Sequence, residues 1–409
     1  MSELVNKQLV NKLLIALFLT LVFGASITTW GNLGWQDQAE QYYNQKSFLR
    51  GDIARDFEQQ YDEEFSLQQI GLNVWTAFKY LLFNQAKKGL LIGSNGWLFS
   101  DEEFIAPVGA AQAVDNNIQF IDQASRQLAS HGVGLMVVLI PAKARLLERQ
   151  RGAHQPATIH RELYPQVINT LRDKHILTVD GLREMRAQSQ PESLYFKTDT
   201  HWTPEGAQVI ASGAARLFYK HLPQLSLHQQ RFITETIGEQ ALEGDLLRFL
   251  PLSPLFDRLM PATETLGLTQ TYLADNDQLF DTGLFEDDLF EEPGSLEDQF
   301  VTLPEVVLLG TSFSADRRWN FDGALKQALT VDIQNLAEQG QGPIMPMVSF
   351  LNDYLPSADN LKLVIWEIPE RYLAIAYPLA YSLDHPLTFS EQASKPDKNT
   401  FSSNREFKQ

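Results

Sequence analysis

The sequence contains no cysteine. That excludes disulfides, a thiol nucleophile, iron–sulfur clusters and every thiolate zinc site. It leaves the compartment open, because a large core folds without crosslinks in either redox setting. Any metal site would have to use His and carboxylates, and the eight histidines include no His-Glu-x-x-His pair. Basic residues are also scarce. The 33 Lys+Arg stand against 51 Asp+Glu, a formal net charge of −18. Nucleic-acid binding depends largely on basic side chains that neutralise phosphates, so this surface argues against it. With 409 residues, 44% hydrophobic and 21% charged, the chain is neither low-complexity nor a multi-pass membrane protein. It is long enough for one large domain or two to three smaller ones.

Only one long apolar run is present. Leu13 to Ile27 carries no charge, follows Lys7 and Lys12, and is trailed by Trp30. Extended to Gly31 it reaches the roughly 17–25 residues that a membrane span needs. Residues 13–31 are therefore expected to be an uncleaved signal anchor. A cleaved signal peptide is the alternative, although Gly24, Ala25 and Ser26 make a poor cleavage site. The basic flank predicts that residues 1–12 stay cytoplasmic as a short tip and that everything after Trp30 crosses the membrane. Either reading puts the working domain outside the cytoplasm, in the periplasm, held at the inner membrane by the anchor or exported free of it after cleavage. A buried core helix, the third reading, would not.

Residues 36–90 mix polar and apolar positions and read as helical. Next, Asn95-Gly96 between two short apolar runs predicts a hairpin. From Val114 onward the pattern becomes α/β. Val114, Ile118, Ile121, Ala124 and Leu128 recur at helical spacing, and Val133 to Ile140 reads as a strand buried on both faces. Further strands are expected at Ile176–Val179, Val306–Leu309, Leu329–Ile333 and Leu361–Trp366. Helices are expected at Glu162–Lys174, Ala207–Leu217, Phe321–Ala328 and Met345–Tyr354. The helix at Ala207 has Thr203 as N-cap and Pro204 in its first turn. Strands alternating with helices predict a parallel sheet covered on both sides, within a domain spanning 36–380. An acidic stretch without Lys or Arg, about 259–300, reads as a solvated insertion. Asp275-x-Asp277 opens like a calcium loop, but Leu279 and Phe280 occupy positions that need a ligand and a glycine. The tail from 384 to 409 is polar and expected to be disordered.

Two segments carry candidate chemistry. In Asp199-Thr200-His201, an extended backbone would send both flanking side chains the same way, so that the carboxylate can orient the imidazole. In Leu309-Gly310-Thr311-Ser312, a buried strand ends in a glycine turn and delivers Ser312 to the carboxyl end of the sheet. The Ser312 N–H would there be free to donate to an oxyanion. Ser312, His201 and Asp199 are thus the expected nucleophile, base and orienting acid, with Ser314 a rival nucleophile if the strand continues. No metal is expected in this site.

Four motifs occur in order: Gly93-Ser-Asn-Gly-Trp-Leu-Phe99; Asp199-Thr-His-Trp202 with Gly206; Gly310-Thr-Ser-Phe-Ser314; and Trp366-Glu-Ile-Pro-Glu-Arg-Tyr372. Across Lys88–Leu373 the chain resembles the AlgJ/AlgX-type alginate O-acetyltransferases, a branch of the SGNH-hydrolase-like superfamily. The motif order resembles a circular permutation of the ordinary SGNH hydrolases, and the usual Asp-x-x-His is shortened to Asp-x-His. The Gly and Asn of the superfamily's oxyanion hole have no assignable counterparts. The stretch after Tyr372 is too short for the AlgX-type carbohydrate-binding module, so the likeness is to the membrane-anchored AlgJ type. The resemblance implies an SGNH-like sheet flanked by helices and acetyl transfer through Ser312 onto an exported polysaccharide. It implies a membrane-bound O-acyltransferase partner as acetyl donor and no cofactor. Trp202, Arg317, Arg318, Trp319 and Tyr372 are the candidates to line a sugar site, with core packing the equal alternative for Trp202 and Trp319, and Arg371 adds local positive charge. An acetylesterase with the same triad, or an idle scaffold of a polysaccharide machine, are the competing readings.

Overall fold

The computed structural model describes residues 15–16, 19–20, 23, 68–274, 305–380 and 388–389. The expected anchor lies outside the described residues except at five positions, all of them exposed, Ile15, Leu19 and Phe23 among them. Among the described residues no helix is long and apolar enough to cross a membrane. Residues 275–304, most of the expected acidic insertion, and nearly all of the expected disordered tail also lie outside them.

The chain divides into two compact units, Met1–Lys87 with Leu250–Met260, and Lys88–Phe249 with Pro261–Gln409. In the first unit the helix α1 (Gln68–Phe83) is fixed through Asn73. Its buried side-chain amide donates to the carbonyls of Pro251 and Ser253.

The second unit begins with the predicted hairpin, β1 (Leu90–Ile92) and β2 (Leu98–Ser100). Asn95 and Gly96 both take positive φ, 56° and 79°, as a two-residue turn matched to strand twist requires. Then follow helix α2 (Ala110–Ser130), β3 (Gly134–Ile140), α3 (Thr158–Asp173), β4 (Leu177–Asp180) and α4 (Pro204–His221). An antiparallel ribbon comes next, β5 (Phe232–Leu242) with β6 (Glu264–Leu273). Finally come β7 (Val306–Leu309), α5 (Phe321–Leu329), β8 (Gln334–Asn335), α6 (Ile344–Ser349) and β9 (Leu363–Pro369).

The main sheet has the order β4-β3-β9-β7-β8, and every pair in it is parallel. The expected α/β class is therefore what the chain forms. Side chains alternate across β3. Met136, Val138 and Ile140 join one apolar cluster with α4 and α5, whereas Val137 and Leu139 join the other with α2, α3 and α6. From β3 the chain moves outward to β4, and from β7 outward to β8, with β9 between the two halves. The sheet therefore has its switch point where the carboxyl ends of β3, β9 and β7 meet, which is where open α/β sheets place their sites.

Two expectations are corrected. No strand runs from Leu329 to Ile333: α5 ends at Leu329, Thr330 turns the chain at φ 55°, and the sheet strand is Gln334–Asn335. Leu329, Val331 and Ile333 are all buried, so their alternation is real, but only Val331 makes a bridge, to Gln229. The acidic stretch is not loop throughout either, because 264–273 forms β6 and pairs along the whole of β5.

Candidate active site

Ser312 sits where β7 runs out. Gly310 passes beneath it, and Thr311 caps the single helical turn Ser312–Ala315. Phe313 N donates to Thr311 Oγ1, and Ser314 N and Ala315 N donate to the Thr311 carbonyl. Within this turn, Ser312 N–H alone is left without an acceptor, as the first N–H groups of a helix are.

His201 reaches Ser312 from the segment that precedes α4. Thr203 caps that helix by accepting from Gly206 N at 3.1 Å, with Pro204 behind it, as predicted. Asp199 Oδ1 accepts from the backbone N of His201 at 2.9 Å and lies 2.6 Å from its Nδ1. His201 Nε2 is 2.8 Å from Ser312 Oγ. With its proton on Nδ1 and directed at the carboxylate, the imidazole presents a lone pair on Nε2 to the serine hydroxyl. Burial alone would raise the Asp199 carboxyl, but the bond from the His201 ring, its charge and the N–H groups of Asp245 and His201 hold it well below the usual carboxylate range. All three expected residues are thus brought together, across 111 positions of sequence.

Residues 197–200 are gripped from three directions, none of which was anticipated. Lys143, fully buried, donates through Nζ to the carbonyls of Leu98 (2.6 Å), Lys197 (2.9 Å) and Asp199 (2.9 Å). Burial pushes this ammonium down to about 8, although Glu103 and Asp199 oppose the shift. Glu264, at the head of β6, accepts from Lys197 N, Thr198 N and Thr198 Oγ1. Asp245 accepts from Thr200 N at 2.8 Å and Thr200 Oγ1 at 2.6 Å, while its own N donates to Asp199 Oδ2 at 3.0 Å. Asp199, His201 and Asp245 have ligand atoms within 4.8 Å of one another, a spacing that could hold a cation. Each of these oxygens and nitrogens already has a hydrogen-bond partner.

A second buried carboxylate supports the serine turn. Glu367, on β9, accepts from Thr311 N at 2.8 Å and from Ser314 Oγ at 3.0 Å, with Thr311 Oγ1 also in reach. Burial raises its carboxyl to about 7 against the pull of these donors. Ser314 is therefore not a competitor for Ser312. The chain turns helical instead of continuing as strand, and the Ser314 hydroxyl is buried and spent on Glu367.

The expected sugar-lining residues separate into two groups. Trp202 and Trp319 are fully buried and offer no face to a ligand. Trp202 packs edge-on against Phe313 at 5.2 Å and against Phe321 at 4.7 Å, whereas Trp319 stacks on the His201 ring. Arg317 and Arg318 are exposed, and Arg318 pairs with Asp316. Tyr372 is half-buried, and its hydroxyl accepts from Arg371 Nη2 at 3.2 Å. Sequence reasoning missed Lys143, Glu264 and Glu367. A lone acid inside the apolar strand Leu363–Pro369 was the available signal for the last of these.

The described residues thus form a parallel sheet flanked by helices, with hydroxyl, imidazole and carboxylate in one file at its carboxyl edge. Residues 90–370 match the family model described as "SGNH hydrolase-like domain, acetyltransferase AlgX". The chain is 41% identical over 332 residues to "Probable alginate O-acetylase AlgJ" of Azotobacter vinelandii, covering 81% of this chain and 82% of that one. It is 40% identical over 336 residues to the protein of the same name from Pseudomonas aeruginosa, again covering 81% and 82%. Among solved structures it resembles the O-acetyltransferase domain of Pseudomonas putida AlgJ, with a TM-score of 0.61 and 34% identity over 72% of this chain and 94% of that one. The chain belongs to the AlgX-type SGNH hydrolase-like acetyltransferase family.

Proposed function

We propose that this chain transfers acetyl groups through Ser312 onto hydroxyls of an exported, alginate-like polysaccharide. The observation that carries the reading is the file Ser312 Oγ, His201 Nε2, His201 Nδ1, Asp199 Oδ1, with gaps of 2.8 and 2.6 Å. His201 Nε2 takes the Ser312 proton as Oγ attacks the acetyl carbonyl of the donor. The oxyanion of the tetrahedral intermediate is met by Ser312 N–H. The donor's leaving group departs with the proton from His201, and acetyl-serine remains. A sugar hydroxyl then gives its proton to the same nitrogen and attacks that ester. Collapse returns the proton to Ser312 Oγ and releases the O-acetylated sugar. Asp199 stays ionised throughout and stabilises the imidazolium.

The acceptor class is supported by the relatives' names, and the exposed Arg317 and Arg318 give local positive charge on a chain of net charge −18. Tyr372 stands as the remaining candidate contact. The donor is a membrane-bound O-acyltransferase, and residues 13–31 anchor the chain in the inner membrane with the working domain in the periplasm. The apolar run and its basic flank support that placement.

The test is intact-mass analysis after incubation with an activated acetyl ester such as 4-nitrophenyl acetate. One acetyl group is expected on the peptide holding Ser312, lost faster when mannuronate oligosaccharide is added. Labelling that persists in Ser312→Ala would overturn the assignment, and decay indifferent to the oligosaccharide would make the chain an esterase.

A further inference from the structure

Helix α1 has an unusual distribution of side chains for a protein in water. At 100° per residue, Ile70, Leu81, Val74, Phe78, Leu82 and Trp75 fall on one continuous face, and all six are exposed, Trp75 at 57% and Leu82 at 62%. The other side holds Asn73 and Thr76, with Ala77 at the border beside Ile70; all three are buried, and Asn73 is tied to Pro251 and Ser253. The apolar face is therefore the free one, and the helix is fixed in place by its other side. Contiguous exposed apolar surface of this kind marks an interaction site.

The charge around it specifies the partner. Between Glu64 and Asp101 the sequence has no Asp or Glu, although the chain carries 51 of them. The same stretch has Lys79, Lys87 and Lys88, and Lys79 Nζ lies 5.9 Å from the centre of the Trp75 ring, at the edge of the apolar face. Aromatic and aliphatic residues on one face, bordered by lysine and cleared of acid, suit the boundary between acyl chains and anionic headgroups. Sixteen residues rise only about 24 Å, short of the roughly 30 Å hydrocarbon core, so the helix can lie along a bilayer but cannot cross it.

We propose that α1 is an interfacial helix that lays its Ile70–Leu82 face on a lipid bilayer bearing anionic headgroups. This contact is separate from the anchor at residues 13–31 and does not rest on the acetyl-transfer reading. The absence of native cysteine makes the test direct, since Leu82→Cys and Ile70→Cys each create a sole labelling position. Each full-length variant is labelled with an environment-sensitive fluorophore and reconstituted in vesicles of phosphatidylethanolamine and phosphatidylglycerol. Both labels are expected to be quenched at least severalfold more by brominated acyl chains than by aqueous iodide. Insertion of a distant anchor cannot produce that local signal. A label at either position that iodide reaches and brominated lipid does not would overturn the proposal. So would a label protected from both, which would mean that the face is covered by protein, the chain's own preceding segment or another.

Discussion

The imidazole of His201 lies almost flat on the indole of Trp319, with ring centroids 5.2 Å apart and planes 23° from parallel. Phe313 closes on the same imidazole at 4.8 Å. The base is thus held between two apolar rings as well as by its carboxylate. Trp319→Ala should cost about 3–5 kcal/mol of stability by cavity formation. It should also lower kcat severalfold more than Trp319→Phe, which keeps a ring beneath the imidazole. Urea melts and acetyl-ester turnover of the two variants check both points.

Asp199→Asn should leave the melting temperature within a few degrees of wild type and lower kcat by about 10²–10⁴. An amide NH₂ facing Nδ1 favours the tautomer with its proton on Nε2, and that nitrogen can no longer accept from Ser312. Acetylation of Ser312 followed by mass spectrometry reads the loss. Equal rates in the two proteins would mean that the bond at 2.6 Å has no part in the chemistry.

Glu367 gives the stability curve a defined slope. Its carboxyl holds a proton up to about 7 in the folded chain, against 4.5 as the ordinary value. Between those two pH values the folded state binds more protons than the unfolded one, so stability falls as pH rises, on the order of 3 kcal/mol in total. Glu367→Gln cannot ionise and should lose that component. Relative to the variant, wild type should be most stable near pH 5 and lose ground by pH 8. Parallel curves across that range would show that the carboxyl is not perturbed.

Lys143 predicts the opposite sign in another window. Its ammonium is pushed down to about 8 from 10.5, so between those values the unfolded chain binds the extra proton and wild-type stability rises with pH. Lys143→Met removes the slope and leaves the Leu98, Lys197 and Asp199 carbonyls without their shared donor. A loss of about 2–3 kcal/mol at pH 7 is expected. Turnover should fall through kcat, because Asp199 loses its backbone support, with KM little changed. Chemical denaturation at pH 7 and pH 9.5, with steady-state kinetics at pH 7, tests all three expectations.

What the sequence made legible was local or repetitive. The hairpin at Asn95-Gly96, the buried strand at 133–140 and the Thr203 cap each depend on neighbouring residues, and each stands within a residue or so of its prediction. Asp199 and His201 were readable because the bond between them spans two positions. Their meeting with Ser312 could be expected only by matching a candidate base to a hydroxyl at a strand end, a pairing the family motifs strengthen, since nothing local encodes contact across 111 residues. The β5–β6 ribbon went unread because most of its positions are partly or fully exposed, which leaves weak alternation. Glu264 and Lys143 escaped for a related reason. A charged side chain reads as surface until its distant partners are known. Trp202 and Trp319 stay open between two roles in the sequence, because an aromatic beside a reactive residue suits a sugar stack and a packed floor equally well, and their burial decides for the floor.

Gly310 is locked by several neighbours and not by the carboxylate alone. A methyl group at position 310 would stand 2.5 Å from Glu367 Oε2, 2.9 Å from Glu367 Cβ and 3.0 Å from Ser314 Oγ. Shortening residue 367 would leave the second and third of these, so loss of the acid would not reopen position 310 to a side chain. The glycine should accordingly persist even in descendants that have given up the buried acid beneath the nucleophile.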